Sequence, residues 1–244
     1  EFERQIGSSV TLLQLNDFSN LLDSSAQAIW KNLSHAMRNI LELERVMIMK
    51  IDDVGAGIIV ADSRVDGLKP FLGHRFAENF MTPEIVKFYE DCSTRFCVDI
   101  WESFNDFISN KTLSIPQQVS QLAPLPKVHM AFLKSIQVTS ALFVPIRIDQ
   151  EFWGLVIGQH SSKKWLDLQQ RQLAALMVQY TANSYEKSLS SKRLSFRQDV
   201  EQLERQLTAG LQQSAQLDTV FNSEMEQLCK IAKADGFVVY KQDD

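Results

Sequence analysis

The 244-residue chain has a formal charge of −5 and a pI near 5.5, and is 45% hydrophobic and 23% charged. That suits a folded domain of moderate size with an extension, or one domain and part of another. It lacks the basic stripe that phosphate binding demands, so nucleic acid is not an expected partner. Its apolar runs fall short of the roughly 18 to 20 residues that a membrane span needs. The opening stretch, EFERQIGSS, does not have the basic-then-apolar pattern of a secretion signal. Cys92, Cys97 and Cys229 share no metal-ligand spacing, which reads as reduced thiols in a cytoplasmic protein.

After a lead-in over residues 1–15, Asn16-Asp17 can cap a helix whose apolar residues Phe18, Leu22, Ile29, Leu33, Met37 and Ile40 recur at helical spacing. The period then changes. Arg45–Ile51 (RVMIMKI) and Gly57–Ala61 (GIIVA) read as strands joined by an Asp- and Gly-containing turn. A loop with Pro70 and Gly73 follows, then a helix from Pro83 through Cys92 and a strand, RFCVDI, over 95–100. Residues 101–127 are a long mixed segment with prolines at 116, 124 and 126, the kind of connection that often serves as a binding element. It ends in a short helix start, Pro126-Lys127-Val128-His129-Met130.

Two runs, LFVPIRI and FWGLVIG, flank the polar turn Asp149-Gln150-Glu151 and read as an antiparallel hairpin buried on both faces. Pro145 removes a ladder donor from the first run. Gly154 and Gly158 in the second mark places where another group comes close. A pocket is expected between the short helix and this sheet. From Trp165 the chain reads as helical for a long way, with Leu173, Leu176, Met177 and Tyr180 expected to dock on the sheet. The stripe then narrows to Leu189, Phe196, Val200, Leu203 and Leu207, close to a seven-residue seam that is broken by Arg193 and suits a parallel homodimer. The other reading of the seam is a helix lying on its parent domain. A further helix, Leu217–Ala232, and a strand, Phe237–Tyr240, repeat the logic of residues 16–51 and read as the opening of a second domain, cut off at Asp244.

The layout is that of an α+β, GAF-type fold, an antiparallel sheet flanked by helices. The blocks RVMIMKID…GAGIIVADSRVDGLKPFLGHRF, FYEDCSTRFCVDI, PKVHMAFLKSIQVTSALFVPIRI and EFWGLVIGQH resemble the bilin-binding GAF domains of phytochromes and cyanobacteriochromes. The resemblance covers residues 16–185. It implies a connector and dimerisation helix over 186–214 and the start of a PHY (GAF-related) domain over 215–244.

In that family a linear tetrapyrrole lies between the short helix and the sheet. The resemblance places His129 beside the pyrrole nitrogens, Tyr89 beside the ring and Arg95 on a propionate. His160 follows the position of a histidine that contacts the outer ring; that position itself is Gln159. Several other family groups are absent. The Asp-Ile-Pro stretch falls on Phe80-Met81-Thr82 or on Met81-Thr82-Pro83, and neither supplies an aspartate. A pocket tyrosine falls on Met49, a second propionate arginine on Ala123, and propionate hydroxyls on Ala141 and Phe143. Val128 stands where plant and cyanobacterial members carry the linking cysteine.

A bilin buries two carboxylates and a pyrrole array, which costs several kcal/mol without partners. The expectation is therefore a degenerate pocket in a sensory and dimerisation module, with no cofactor held as in the relatives. The alternatives are a working photoreceptor for biliverdin or phycocyanobilin, with its thiol elsewhere, and a GAF sensor of another small molecule. No phosphate loop, nucleophile elbow or catalytic His-acid motif stands in the sequence, so the chain is not expected to be an enzyme itself. An output such as a histidine kinase is expected downstream.

Overall fold

A computed structural model describes residues 26–52, 55–101, 124–213, 220 and 224–236. In chain order they form α1 (Ala26–Ile40), β1 (Arg45–Ile51), β2 (Gly57–Arg64), a 3₁₀ turn (Glu78–Met81), α2 (Pro83–Glu90), β3 (Arg95–Cys97), α3 (Lys127–Ser135), β4 (Ser140–Ile148), β5 (Glu151–His160), α4 (Leu168–Gln213) and α5 (Met225–Ala232). The strands make one antiparallel sheet in the order β2-β1-β5-β4-β3. The chain divides into two compact units, Glu1–Glu186 and Lys187–Asp244.

The hairpin β4–β5 sits inside the sheet because both its faces are apolar. The turn is Asp149-Gln150 alone: both residues have positive φ (52° and 68°), the geometry whose twist matches paired strands, and Glu151 already belongs to β5. Gly154 is required by a close approach, since a Cβ there would run into the Met49 carbonyl of β1. Pro145 is tolerated because β3 pairs only with Ala141–Phe143, so its missing N–H lies past the end of that partner.

Strand alternation divides the core in two. On one face Val46, Ile48, Val144, Ile146 and Val156 meet Ile29, Leu33 and Met37 of α1 and Leu173, Ala174, Met177, Val178 and Ala182 of α4. On the other, Met47, Met49, Phe143, Leu155 and Ile157 meet Phe76, Phe80, Met81, Tyr89 and Leu133. The second face is the one that α3 and the 3₁₀ turn cover.

Several expectations need adjusting. β3 ends at Cys97 rather than at residue 100, and β2 runs on to Arg64, with a bulge in the β1–β2 register at Ile48/Met49. The docking face of α4 is not Leu173-Leu176-Met177-Tyr180. Leu176 and Tyr180 are each 49% exposed, and Ala174, Val178 and Ala182 take their place. The helical period explains the change: 173, 174, 177, 178 and 182 share one side, and the two alanines let the helix approach the sheet closely. In the expected seam, Phe196 and Val200 are exposed but Leu203 is buried within the chain. Phe18, Leu22, most of the 101–127 segment and the strand Phe237–Tyr240 lie outside the described residues.

Candidate functional site

Three of the four residues singled out in the sequence lie on the α3 side of the sheet. α2 starts with Pro83 in its first turn and places Tyr89 in its last. β3 opens with Arg95, which pairs with Phe143 of β4. α3 carries His129 in its first turn. Tyr89 and Arg95 are 0% exposed and His129 is 1% exposed.

Tyr89 Oη stands 2.6 Å from His129 Nδ1, and His129 Nε2 stands 2.8 Å from the Phe80 carbonyl oxygen. A carbonyl can only accept, so Nε2 carries the proton and Nδ1 accepts from the tyrosine hydroxyl. His129 is thus a neutral imidazole with both nitrogens committed to the protein. The electrostatics agree: burial pulls its pKa down to about 4, against a smaller upward effect of the Phe80 hydrogen bond. Burial likewise pushes Tyr89 well above the usual phenol range, with Arg95 opposing.

The Phe80 ring stacks on the imidazole at 4.2 Å between centroids and on Phe76 at 4.2 Å. The carbonyl and ring of one residue therefore fasten the 3₁₀ turn to α3. No spacing pattern announces such a backbone acceptor, and sequence reading missed it. Arg95 turns its guanidinium to the Phe88 carbonyl, with Nε at 3.1 Å and Nη2 at 2.5 Å, and lies over the Phe88 ring at 4.0 Å.

His160 is not with them. It ends β5, and alternation points it to the α1–α4 side of the sheet. Its ring lies 3.1 Å from Ser162 Oγ and 4.0 Å from Glu44 Oε1. Its neighbour Gln159 does face the α3 side, is 2% exposed, and has an amide nitrogen without a hydrogen-bond partner. Beside it in register, Arg45 pairs with the fully buried carboxylate of Asp62 at 3.4 Å, reaches the Lys69 carbonyl and lies over Phe71. This buried pair was a second feature the sequence reading missed. Cys92 and Cys97 are buried, and burial pushes the Cys97 thiol up to about 11. A protonated, enclosed thiol of that kind is a poor nucleophile for attaching a ligand.

A family model for the GAF domain matches residues 25–183, and the chain belongs to that family. Within it the chain is phytochrome-like. It is 24% identical over 142 residues to cyanobacterial phytochrome A of Nostoc sp., covering 55% of this chain and 18% of the relative. It is 22% identical over 147 residues to a bacteriophytochrome of Pseudomonas aeruginosa, covering 59% and 20%. Among solved structures, the photosensory core module of the Stigmatella aurantiaca phytochrome superposes with a TM-score of 0.74 at 14% identity, over 92% of this chain and 46% of that one. The chromophore-binding domain of an unusual bacteriophytochrome from R. palustris gives 0.65 at 15% identity, over 78% and 64%. The matched segments span only about a fifth of the length of these two curated relatives.

The resemblance to phytochromes implies a bilin between α3 and the sheet, and the residues there can be tested against one. Met49, Tyr89 and Leu155 are 0% exposed, and His129, Ala141 and Phe143 are 1% exposed. At those values none of them borders a void large enough for a water molecule. Met49 and Phe143, in place of hydroxyl residues, fill the floor; Phe80 covers the histidine. Among the described residues, the floor of the site in this conformation does not fit a tetrapyrrole, whose rings need the volume these side chains occupy.

Proposed function

We propose that this phytochrome-like GAF sensory module acts as a coupling and dimerisation unit whose pocket is closed by its own side chains. The observation that carries the reading is the committed histidine: both nitrogens of His129, the group that would meet pyrrole nitrogens, are hydrogen-bonded within the protein. A rigid, self-filled domain can still pass motion along α4, the 46-residue helix that begins by docking on the sheet. Support for a homodimer comes from Leu194, Phe196 and Val200, exposed at 57%, 54% and 38% on that helix. The boundaries proposed are 16–185 for the GAF domain, 186–214 for the connector and 215–244 for the start of a PHY domain; the division after Glu186 supports the first of them.

We place no reaction on this chain. Among the described residues, no helix is long and apolar enough to cross a membrane and no cluster could hold a metal ion. A cytoplasmic location is proposed with these. Light scattering on the purified chain tests the dimer: a concentration-dependent dimer is expected, and Phe196→Glu with Val200→Glu should dissociate it. A wild-type monomer at high concentration overturns it. The second reading, a bilin photoreceptor, is favoured by the relatives' identity as phytochromes. A red absorbance band on mixing with biliverdin or phycocyanobilin would support it, and a colourless protein would support the closed pocket.

A further inference from the structure

Around His129 the described residues of the α3 side leave no open space, whereas the α4 side opens at one edge. β3 stops after covering Ala141–Phe143, so the edge of β4 from Val144 onward runs beside α4 without that strand. There the helix presents short side chains, Val178 and Ala182, and a cavity of about 300 Å³ opens between helix and strand edge. Val144, Val178 and Ala182, each 2–3% exposed, close its floor, and most of its open lining is polar. Its rim carries one cation, one anion and three carboxamides: Arg147, Glu186, Gln150, Gln179 and Asn183.

Neither charge is used up by the fold. Arg147 gives Nη2 to the Glu90 carbonyl at 2.6 Å, which leaves further N–H groups of its five. Glu186 accepts the Asp149 N–H on Oε1 at 2.7 Å, which leaves the second carboxylate oxygen. The size lies at the lower end of small-molecule pockets, and the mostly polar lining favours a polar occupant.

We propose that this cavity binds a small zwitterion of the α-amino-acid class. The carboxylate meets the Arg147 guanidinium, where a charge-assisted, bidentate contact is available. The ammonium meets Glu186, and the carboxamides of the rim border the rest of the molecule. A neutral or singly charged molecule would leave one rim charge without its partner. Both walls belong to the unit Glu1–Glu186, and one is α4 itself, so an occupant would brace the output helix against the sheet edge. The proposal rests on the sensory reading only for that consequence; the binding stands or falls alone.

The experiment is a titration of the ¹⁵N-labelled chain with L-leucine, followed by amide shifts and by calorimetry. 4-Methylpentanoate and 3-methylbutylamine, which keep the side chain but lose one charge each, are the controls. Saturable shifts confined to residues 144–150 and 175–186 are expected, with at least tenfold weaker binding of each control. Arg147→Gln and Glu186→Gln should each weaken leucine at least tenfold. The glutamine at 186 retains an acceptor for the Asp149 N–H, and an unchanged amide spectrum verifies each fold. The proposal is overturned by no saturable shift, by a control that binds as well as leucine, or by variants that bind as the wild type does. A chain that binds leucine yet stays monomeric removes the dimer reading and leaves this one; a dimer indifferent to leucine does the reverse.

Discussion

The two faces of the sheet are both closely packed at their centres but built differently. The α1–α4 face is aliphatic at its centre, with Leu33, Met37, Ile48, Val156 and Met177 at 0% exposure. The α3 face also reaches 0–1% at Met49, Tyr89, Leu155 and Phe143, yet it encloses a tyrosine, a histidine and an arginine among aromatic rings. A face that only stabilises the fold has no need of those groups, because each polar atom must be given a partner once buried. Here the partners come from the protein: Tyr89 for His129, and the Phe80 and Phe88 carbonyls for His129 and Arg95. The contrast teaches that the α3 face has the residues of a ligand site and the packing of a core.

If it is a core, truncation there should cost what truncation costs on the other face. Phe143→Ala is expected to lose about 3–5 kcal/mol and Met177→Ala about 2–5 kcal/mol, both read from urea midpoints at constant slope. A Phe143→Ala loss well under 1 kcal/mol would mean that its ring lines open space, and the likeness between the faces would fail.

The next effect separates the faces by pH. Burial holds the folded pKa of His129 at about 4, below the 6.5 of an ordinary imidazole. The unfolded chain therefore takes up a proton first, and stability is complete above about pH 6.5 and declines as pH falls towards 4. The displacement corresponds to a loss on the order of 3 kcal/mol across that window. Denaturant midpoints at pH 7.5, 6, 5 and 4.5 should fall accordingly, and His129→Gln should flatten the profile in this range. An unaltered slope in that variant would assign the acid sensitivity elsewhere.

The smallest expected effect is the most specific. Tyr89→Phe leaves the His129 Nδ1 acceptor buried without its donor, at a cost of about 1–3 kcal/mol. Because nothing then favours one ring nitrogen through the tyrosine, the histidine should also titrate differently in the variant. A neutral outcome in both stability and titration would remove the tyrosine from the arrangement.

Much of this was legible in the sequence, for identifiable reasons. The strand runs RVMIMKI and FWGLVIG are unbroken and β-branched-rich, so the sheet followed, and Gly154 announced the approach of β1. Short blocks of like order around Tyr89, Arg95 and His129 brought those three to one face. The docking side of α4 was misjudged because Leu176 and Tyr180 look like core residues by type, whereas the helical period selects Ala174 and Ala182. The partners of His129 and Arg95 were out of reach because they are main-chain carbonyls, which every residue has and no side-chain pattern marks. His160 and Gln159 show the period-two rule at its sharpest: adjacent residues on one strand belong to opposite faces, and the glutamine is the one on the α3 side.

The claim beneath the account is that His129 is already fully engaged by Tyr89 and Phe80, with no capacity left for a pigment. Ring ¹⁵N resonances of His129, recorded near pH 6 before and after one equivalent of biliverdin, test it directly. The account predicts a neutral ring protonated on Nε2, with Nδ1 accepting a hydrogen bond, and resonances that do not move when biliverdin is added. A ring whose tautomer or charge changes on addition, as the solution gains a red band, would contradict it.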